Sequence, residues 1–216
     1  PREALLTADQ RMYAQKARRA GARGQARDVL VQVLVEREPE LHRHMSDVAV
    51  LSHAVAMRLE LSTEDVDVTV RAAELHDVGK VAIPDAILHK HGPLSADEWR
   101  FMRRHTVIGE RIISAATALR PVARVVRSSH ERWDGTGYPD ALAGEDIPLG
   151  ARIVFACDAY DAMTSAREYR AAMTHDQALA QLRAGAGTQF DPAVVDALFA
   201  VLAAGPLAVD AAAAAS

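Results

Sequence analysis

Cysteine is almost missing from this chain: one residue, Cys157, in 216. That excludes an intramolecular disulfide and every metal site built on a cysteine cluster, and it fits a reducing cytoplasm. Aromatic residues make up 5% of the sequence, too few for a platform on which nucleic-acid bases stack. No cationic excess exists either. Lys and Arg number 25 against 29 Asp and Glu, a net charge of −4, so the global field that draws a protein to a nucleic-acid polymer or an anionic membrane is absent. No apolar run approaches the roughly 18 residues needed to span a bilayer. The chain opens Pro1-Arg2-Glu3 without the apolar stretch of a secretory signal, and Pro1 reads as an internal position of something longer. Runs that alternate apolar and polar at strand length are also missing, so the expected fold class is all-α.

Half the residues are hydrophobic, enough for a packed core. Helical spacing is expected over 28–36, 40–59, 63–76, 96–105, 107–116, 121–130, 150–165, 175–184 and 192–202. Three of these have start signals: Ser62 as an N-cap, and the capping boxes Ser95/Glu98 and Thr174/Gln177. An amphipathic helix is expected near the N-terminus, over 1–20. A glycine-containing linker at 21–27 would join it to the main domain, 28–203, and an alanine-rich tail would follow over 204–216. Glycine and proline gather between Gly135 and Pro148, which reads as a long loop, and long loops in compact domains usually carry function.

Nine histidines stand out. His44 lies among Val48, Leu51 and Val55; His76-Asp77 closes an apolar helix; His105 and His130 sit at segment ends; Asp158 interrupts Ile153–Cys157. Any one of them could be an ordinary capping or packed residue. Together they put several imidazoles and carboxylates on apolar faces, which is costly unless they are paired or bind metal. Imidazole with carboxylate suits Fe, Mn or catalytic Zn. Six such ligands exceed the needs of one ion with open positions. They match two divalent ions about 3.5–4 Å apart, which share and activate a water and clamp a phosphoryl group. Asp77, adjoining a ligand histidine at a helix end, is the expected bridge. Lys80, three residues on, could hold a phosphate oxygen, with Gly79 allowing a tight reversal. Arg167 and Arg170 could add bidentate phosphate contacts, the alternative being a solvated basic face. Asp161 could orient Lys80 or a ligand histidine, or be a surface carboxylate.

These residues fall in longer matches: HDVGK at 76–80, IPDAIL at 83–88, GPLSADEW at 92–99, HTVIGE at 105–110, HERWDGTGYP at 130–139, DAYDAMTS at 158–165, REYR at 167–170 and AGTQFDP at 186–192. In this order and spacing they resemble the HD-GYP family, a branch of the HD phosphohydrolases, over about 28–200. The resemblance implies a helical, metal-dependent phosphodiesterase that hydrolyses cyclic di-GMP to pGpG or GMP. It implies metal ligation by His44, His76, Asp77, His105, His130 and Asp158, a catalytic part for Asp77 and Lys80, and substrate contact by Lys80, Tyr138, Arg167 and Arg170. One departure stands out: the family usually places two histidines before Glu131, and here they are Ser129-His130. Ser129 then backs the ligands rather than joining them. Glu40, one helical turn before His44, matches a carboxylate used for a third ion, but without the second histidine two ions are expected, Fe or Mn before Zn. The departure also leaves open a changed substrate, such as another cyclic or linear dinucleotide or a guanosine polyphosphate, or a non-catalytic nucleotide sensor. The segment EALLTADQRMYAQK is similar to the last helix of GGDEF (diguanylate cyclase) domains, which implies a cyclase-type partner domain upstream. Its exposed apolar stripe is a candidate for pairing with a second copy.

Overall fold

The computed structural model describes residues 21–38, 41–166 and 171–205. The expected N-terminal helix, Glu40, Arg167, Arg170 and the tail from 206 lie outside the described residues. Those described form helices and turns with no strand; two isolated bridges, His130 with Tyr138 and Ala186 with Phe190, are the extended pairings. The helices are α1 (21–37), α2 (Leu41–Arg58), α3 (Thr63–Leu75), α4 (Asp85–Leu88), α5 (Ala96–Met102), α6 (His105–Ser114), α7 (Arg120–Arg127), α8 (Leu149–Thr164), α9 (His175–Gly185) and α10 (Pro192–Ala204). A 3-10 turn, Val78–Ala82, follows α3. No helix of the described residues is long and apolar enough to cross a membrane.

The start signals work as the sequence indicates. Ser62 accepts a hydrogen bond from the Asp65 N–H, and both capping boxes, Ser95/Glu98 and Thr174/Gln177, close. Each satisfies N–H groups that a helix end would otherwise leave unpaired. Asp191 caps α10, with Pro192 preset for its first turn.

α2, α3 and α8 pack against one another, with α7 on α3 and α10 across α2 and α8. Their contact faces supply the fully buried Val48, Val55, Leu75, Val126, Ile153 and Leu198. Each such burial stabilises by about 1.5–3 kcal/mol. The functional consequence is a rigid helical platform beneath residues 44, 76, 77 and 158.

Three local readings need correction. The stretch 21–27, expected as a linker, is part of a continuous helix. Two glycines cost that helix about 1 kcal/mol each against alanine. Tertiary contacts offset this: Arg23 reaches Glu64 (3.1 Å), Asp67 (3.3 Å) and the Ala118 carbonyl (3.0 Å), Arg27 pairs with Glu74, and Leu34 is fully buried. The helix expected through His105 ends at Met102, and His105 instead opens α6. The helix expected through His130 ends at Arg127, where the Ser128 and Ser129 N–H groups bond the Val125 and Val126 carbonyls in tight turns. Both histidines, expected as the last residues of helices, lie elsewhere: His105 opens α6 and His130 follows the turns after α7.

Candidate metal centre

His76 is the C-cap of α3 and Asp77 the next residue, both buried. The His76 Nδ1–H donates to the Ala73 carbonyl at 2.7 Å. A carbonyl only accepts, so the proton sits on Nδ1 and Nε2 keeps its lone pair facing inward. His105 repeats the device: its Nδ1–H donates to the Met102 carbonyl at 2.8 Å, and its buried Nε2 has no hydrogen-bond partner. A buried nitrogen aimed inward and unsatisfied is costly unless something fills the space before it.

The candidate ligand atoms form two groups, His44, His76 and Asp77, and Asp77, His105 and His130, with the atoms of each within 4.8 Å of one another. Asp77 belongs to both. Its Oδ2 lies 3.5 Å from His76 Nε2 and its Oδ1 lies 3.8 Å from His105 Nε2, so its two oxygens face opposite halves of the cluster. Asp158, from α8, reaches His44 Nε2 at 3.2 Å and His76 Nε2 at 3.9 Å. The sequence-derived set of six is thus brought together: His44, His76, Asp77, His105, His130 and Asp158. Four imidazoles around the shared Asp77, with the Asp158 carboxylate beside His44 and His76, are a donor set for divalent ions of the Fe, Mn or Zn type.

Gly79 makes the overlap possible, though not by a chain reversal, since its φ is not positive. A Cβ built there would fall 1.9 Å from the His105 carbonyl oxygen and 2.7 Å from the Gly109 N. Only a bare Cα lets the 3-10 turn lie against the start of α6, which sets Asp77 opposite His105.

Charge is arranged unevenly. Burial opposes a charge on Asp77, yet Lys80, His76 and His105 together hold its carboxyl well below the usual carboxylate range. Lys80 Nζ sits 2.6 Å from Asp77 Oδ2. Burial also works against a charged His44, but hydrogen bonds to Asp158 and Asp161 outweigh it and carry its pKa up to about 9. Asp161 Oδ2 accepts from His44 Nδ1–H at 2.5 Å, so of the two partners weighed for Asp161 it takes the histidine and not Lys80. In the other half burial wins: it lowers His105, and with His105 nearby it pushes His130 down to about 3.

The loop after His130 is folded back onto it. The Tyr138 ring stacks on the His130 imidazole at 5.2 Å and 16°, and the Tyr138 N–H bonds the His130 carbonyl. Gly137 passes so close to the chain that a Cβ would lie 2.3 Å from the Arg132 N. Sequence reasoning missed what holds this loop. Glu131, 2% exposed, accepts from the Asp140 N–H (2.7 Å) and the Leu142 N–H (3.2 Å). Arg127 grips the Asp140 carboxylate with two nitrogens and Glu110 with a third. The signal available was a carboxylate adjoining a ligand histidine. Ser129, expected to back the ligands, does not: its hydroxyl donates to the Val126 carbonyl at 2.9 Å, and among the described residues it bonds no candidate ligand.

The sequence profile of the HD domain family matches residues 28–194. The chain belongs to this family. A "Probable cyclic di-GMP phosphodiesterase" of Vibrio cholerae is 38% identical over 216 residues, 91% of this chain and 49% of that protein. The "Cyclic di-GMP phosphodiesterase response regulator RpfG" of Xanthomonas campestris pv. campestris is 50% identical over 156 residues, 71% of this chain and 40% of its own length. The chain therefore spans about half or less of these relatives. Among solved structures, a cyclic GMP-AMP-specific phosphodiesterase of V. cholerae superposes with a TM-score of 0.62 at 19% identity, over 78% of this chain and 45% of that one. That likeness gives the HD-type helical fold.

Proposed function

We propose that this chain is a metal-dependent phosphodiesterase that hydrolyses cyclic di-GMP. The observation that carries the reading is the buried Asp77, shared by two groups of metal-ligand type. In this reading His44, His76, Asp77 and Asp158 hold one divalent ion, and Asp77, His105 and His130 hold a second. When bound, the pair supplies an activated water and charge to stabilise the phosphorane-like transition state.

The protein's own groups do the rest. The backbone carbonyls of Ala73 and Met102 fix the tautomers of His76 and His105, so each presents a lone pair without reorganising. Lys80 stands at the rim of Asp77 and is assigned to a phosphoryl oxygen of the substrate. Tyr138, stacked on His130, offers a ring at the mouth of the cluster. Arg167 and Arg170 are assigned to phosphate as well, and Glu40 matches the carboxylate of a third ion, although two ions are proposed. Hydrolysis adds the water oxygen to phosphorus and breaks the P–O3′ bond, giving linear pGpG; a second cut gives GMP. A cyclase-type domain upstream of residue 20 would place synthesis and hydrolysis in one protein, and a second copy could pair along the same helix.

The test is turnover. The chain is purified without oxygen, loaded separately with Fe(II), Mn(II) and Zn(II), and offered cyclic di-GMP, other cyclic dinucleotides, pGpG and a guanosine polyphosphate, with Asp77→Ala as control. Release of pGpG or GMP, lost in the control, supports the proposal. Two bound ions with no cyclic di-GMP turnover contradict it. Activity on another nucleotide then gives the substrate, and silence throughout indicates a binding module.

A further inference from the structure

The site as described has a base of buried ligands and a mouth formed by Tyr138. One cation at that mouth has been given no part. Residues 84–104, which carry α4 and α5, contain no buried residue, although they connect the buried His76–Gly79 stretch to the buried start of α6. They end on Arg103, the C-cap of α5 and two residues before His105. Its backbone N–H donates to the Trp99 carbonyl at 3.0 Å, so its Cα is fixed relative to the start of α6. Its guanidinium lies over the Tyr138 ring, 5.3 Å from the centroid, and that ring in turn stacks on His130.

Most arginines near it are already committed. Arg100 pairs with Asp97, Arg127 with Asp140 and Glu110, and Arg132 with Asp134. Lys80, paired with Asp77, is already assigned to a phosphoryl oxygen. Arg103 is exposed and, among the described residues, pairs with no carboxylate. Stacking on an aromatic face leaves the edge of a guanidinium, with its fork of N–H donors, open to solvent. An open fork at the mouth of a phosphodiester site is a geometry for bidentate phosphate recognition.

We infer that Arg103 is a substrate-contacting residue, taking the oxygens of the phosphate that is not being cut, which in a cyclic dinucleotide is the second phosphodiester. Contact with the Tyr138 ring already restrains the Arg103 side chain, so less side-chain freedom is lost on binding. The inference rests on the phosphodiesterase reading above.

The test compares wild type, Arg103→Ala and Arg103→Lys as the full Mn(II)-loaded chain. KM, kcat and the Kd of cyclic di-GMP are measured beside turnover of bis(p-nitrophenyl) phosphate, which has one phosphodiester and no second phosphate. A charge-assisted hydrogen bond contributes about 1.5–3 kcal/mol, so Arg103→Ala should weaken Kd and KM for cyclic di-GMP by about 10–100-fold. Its kcat should change much less, and its loss on the small diester should be at least about fivefold smaller. Arg103→Lys should recover part of the affinity, because the charge returns without the fork. If wild type turns over cyclic di-GMP and Arg103→Ala leaves Kd and KM unchanged, or loses equally on both substrates, the inference falls and the phosphodiesterase reading stands. If wild type binds cyclic di-GMP without cutting it, that reading falls, and the two Kd values still decide the role of Arg103. If wild type neither binds nor cuts it, both fall.

Discussion

The two halves of the candidate metal centre are built from different materials. The half with His44, His76 and Asp158 stands on three packed helices, and its outermost histidine is pinned from behind by Asp161. The half with His105 and His130 is assembled from a helix start and a loop, and it is closed by the Tyr138 ring. Their charge states differ as well. His44 is held protonated by two carboxylates in the metal-free chain, whereas burial keeps His105 and His130 neutral. One half must surrender a proton to take an ion, and the other is already in ligand form. Asp77 is the group the two halves share.

Separating the halves should have the largest effect. In Gly79→Ala the new methyl would fall 1.9 Å from a backbone oxygen, so the 3-10 turn must move away from α6. A displacement of 1 Å is enough for a loss of about 10²-fold in site function. Metal titration followed by content analysis should show the His105–His130 half weakened at least that much, and the Tm should fall by about 6 °C or more. Next is Asp161→Asn, which removes the charge behind His44. Affinity in that half should drop about 10–100-fold, with the His105–His130 half within about threefold of wild type.

The pH response should differ between the halves too. Below about 9 a metal must displace the His44 proton, so affinity in that half should rise by up to about tenfold per pH unit between 6.5 and about 9. In the other half it should stay nearly flat over the same range. In the metal-free chain the raised His44 pKa also stabilises the fold, fully below 6.5 and less as pH climbs through about 9. Thermal melts of the apo protein should show that decline, and melts of Asp161→Asn should show less of it. Smallest is Ser129→Ala. It removes one hydrogen bond to the Val126 carbonyl, so stability should fall by about 0.5–1.5 kcal/mol with metal content unchanged.

Much of this was legible in the sequence. Capping residues gave the starts of α3, α5 and α9, and the six candidate ligands were marked, His44, His76, Asp77 and Asp158 by their apolar surroundings and His105 and His130 by their places at segment ends. Less legible was whatever depends on two distant backbones touching. Gly79 looked like a turn residue, but its purpose is contact with residue 105, and neighbouring residues do not encode that approach. Helix α1 looked broken at Gly21 and Gly24, because its support comes from Glu64, Asp67 and Glu74 on another helix. Ser129 looked like a residue that backs the ligands, whereas its hydroxyl bonds its own turn. Glu131 was visible beside His130, but its loop-bracing part depends on the N–H groups of residues 140 and 142 folding back to it.

The central claim is that Asp77 joins two ions into one centre. Electron paramagnetic resonance of the chain loaded with Mn(II) tests it directly, alongside metal content. Two Mn(II) ions about 3.5–4 Å apart and sharing a carboxylate should give a spin-coupled spectrum at about two ions per chain. Asp77→Ala should lose the coupling and most of the metal. A wild-type spectrum of isolated, uncoupled Mn(II) at two ions per chain would contradict a shared centre.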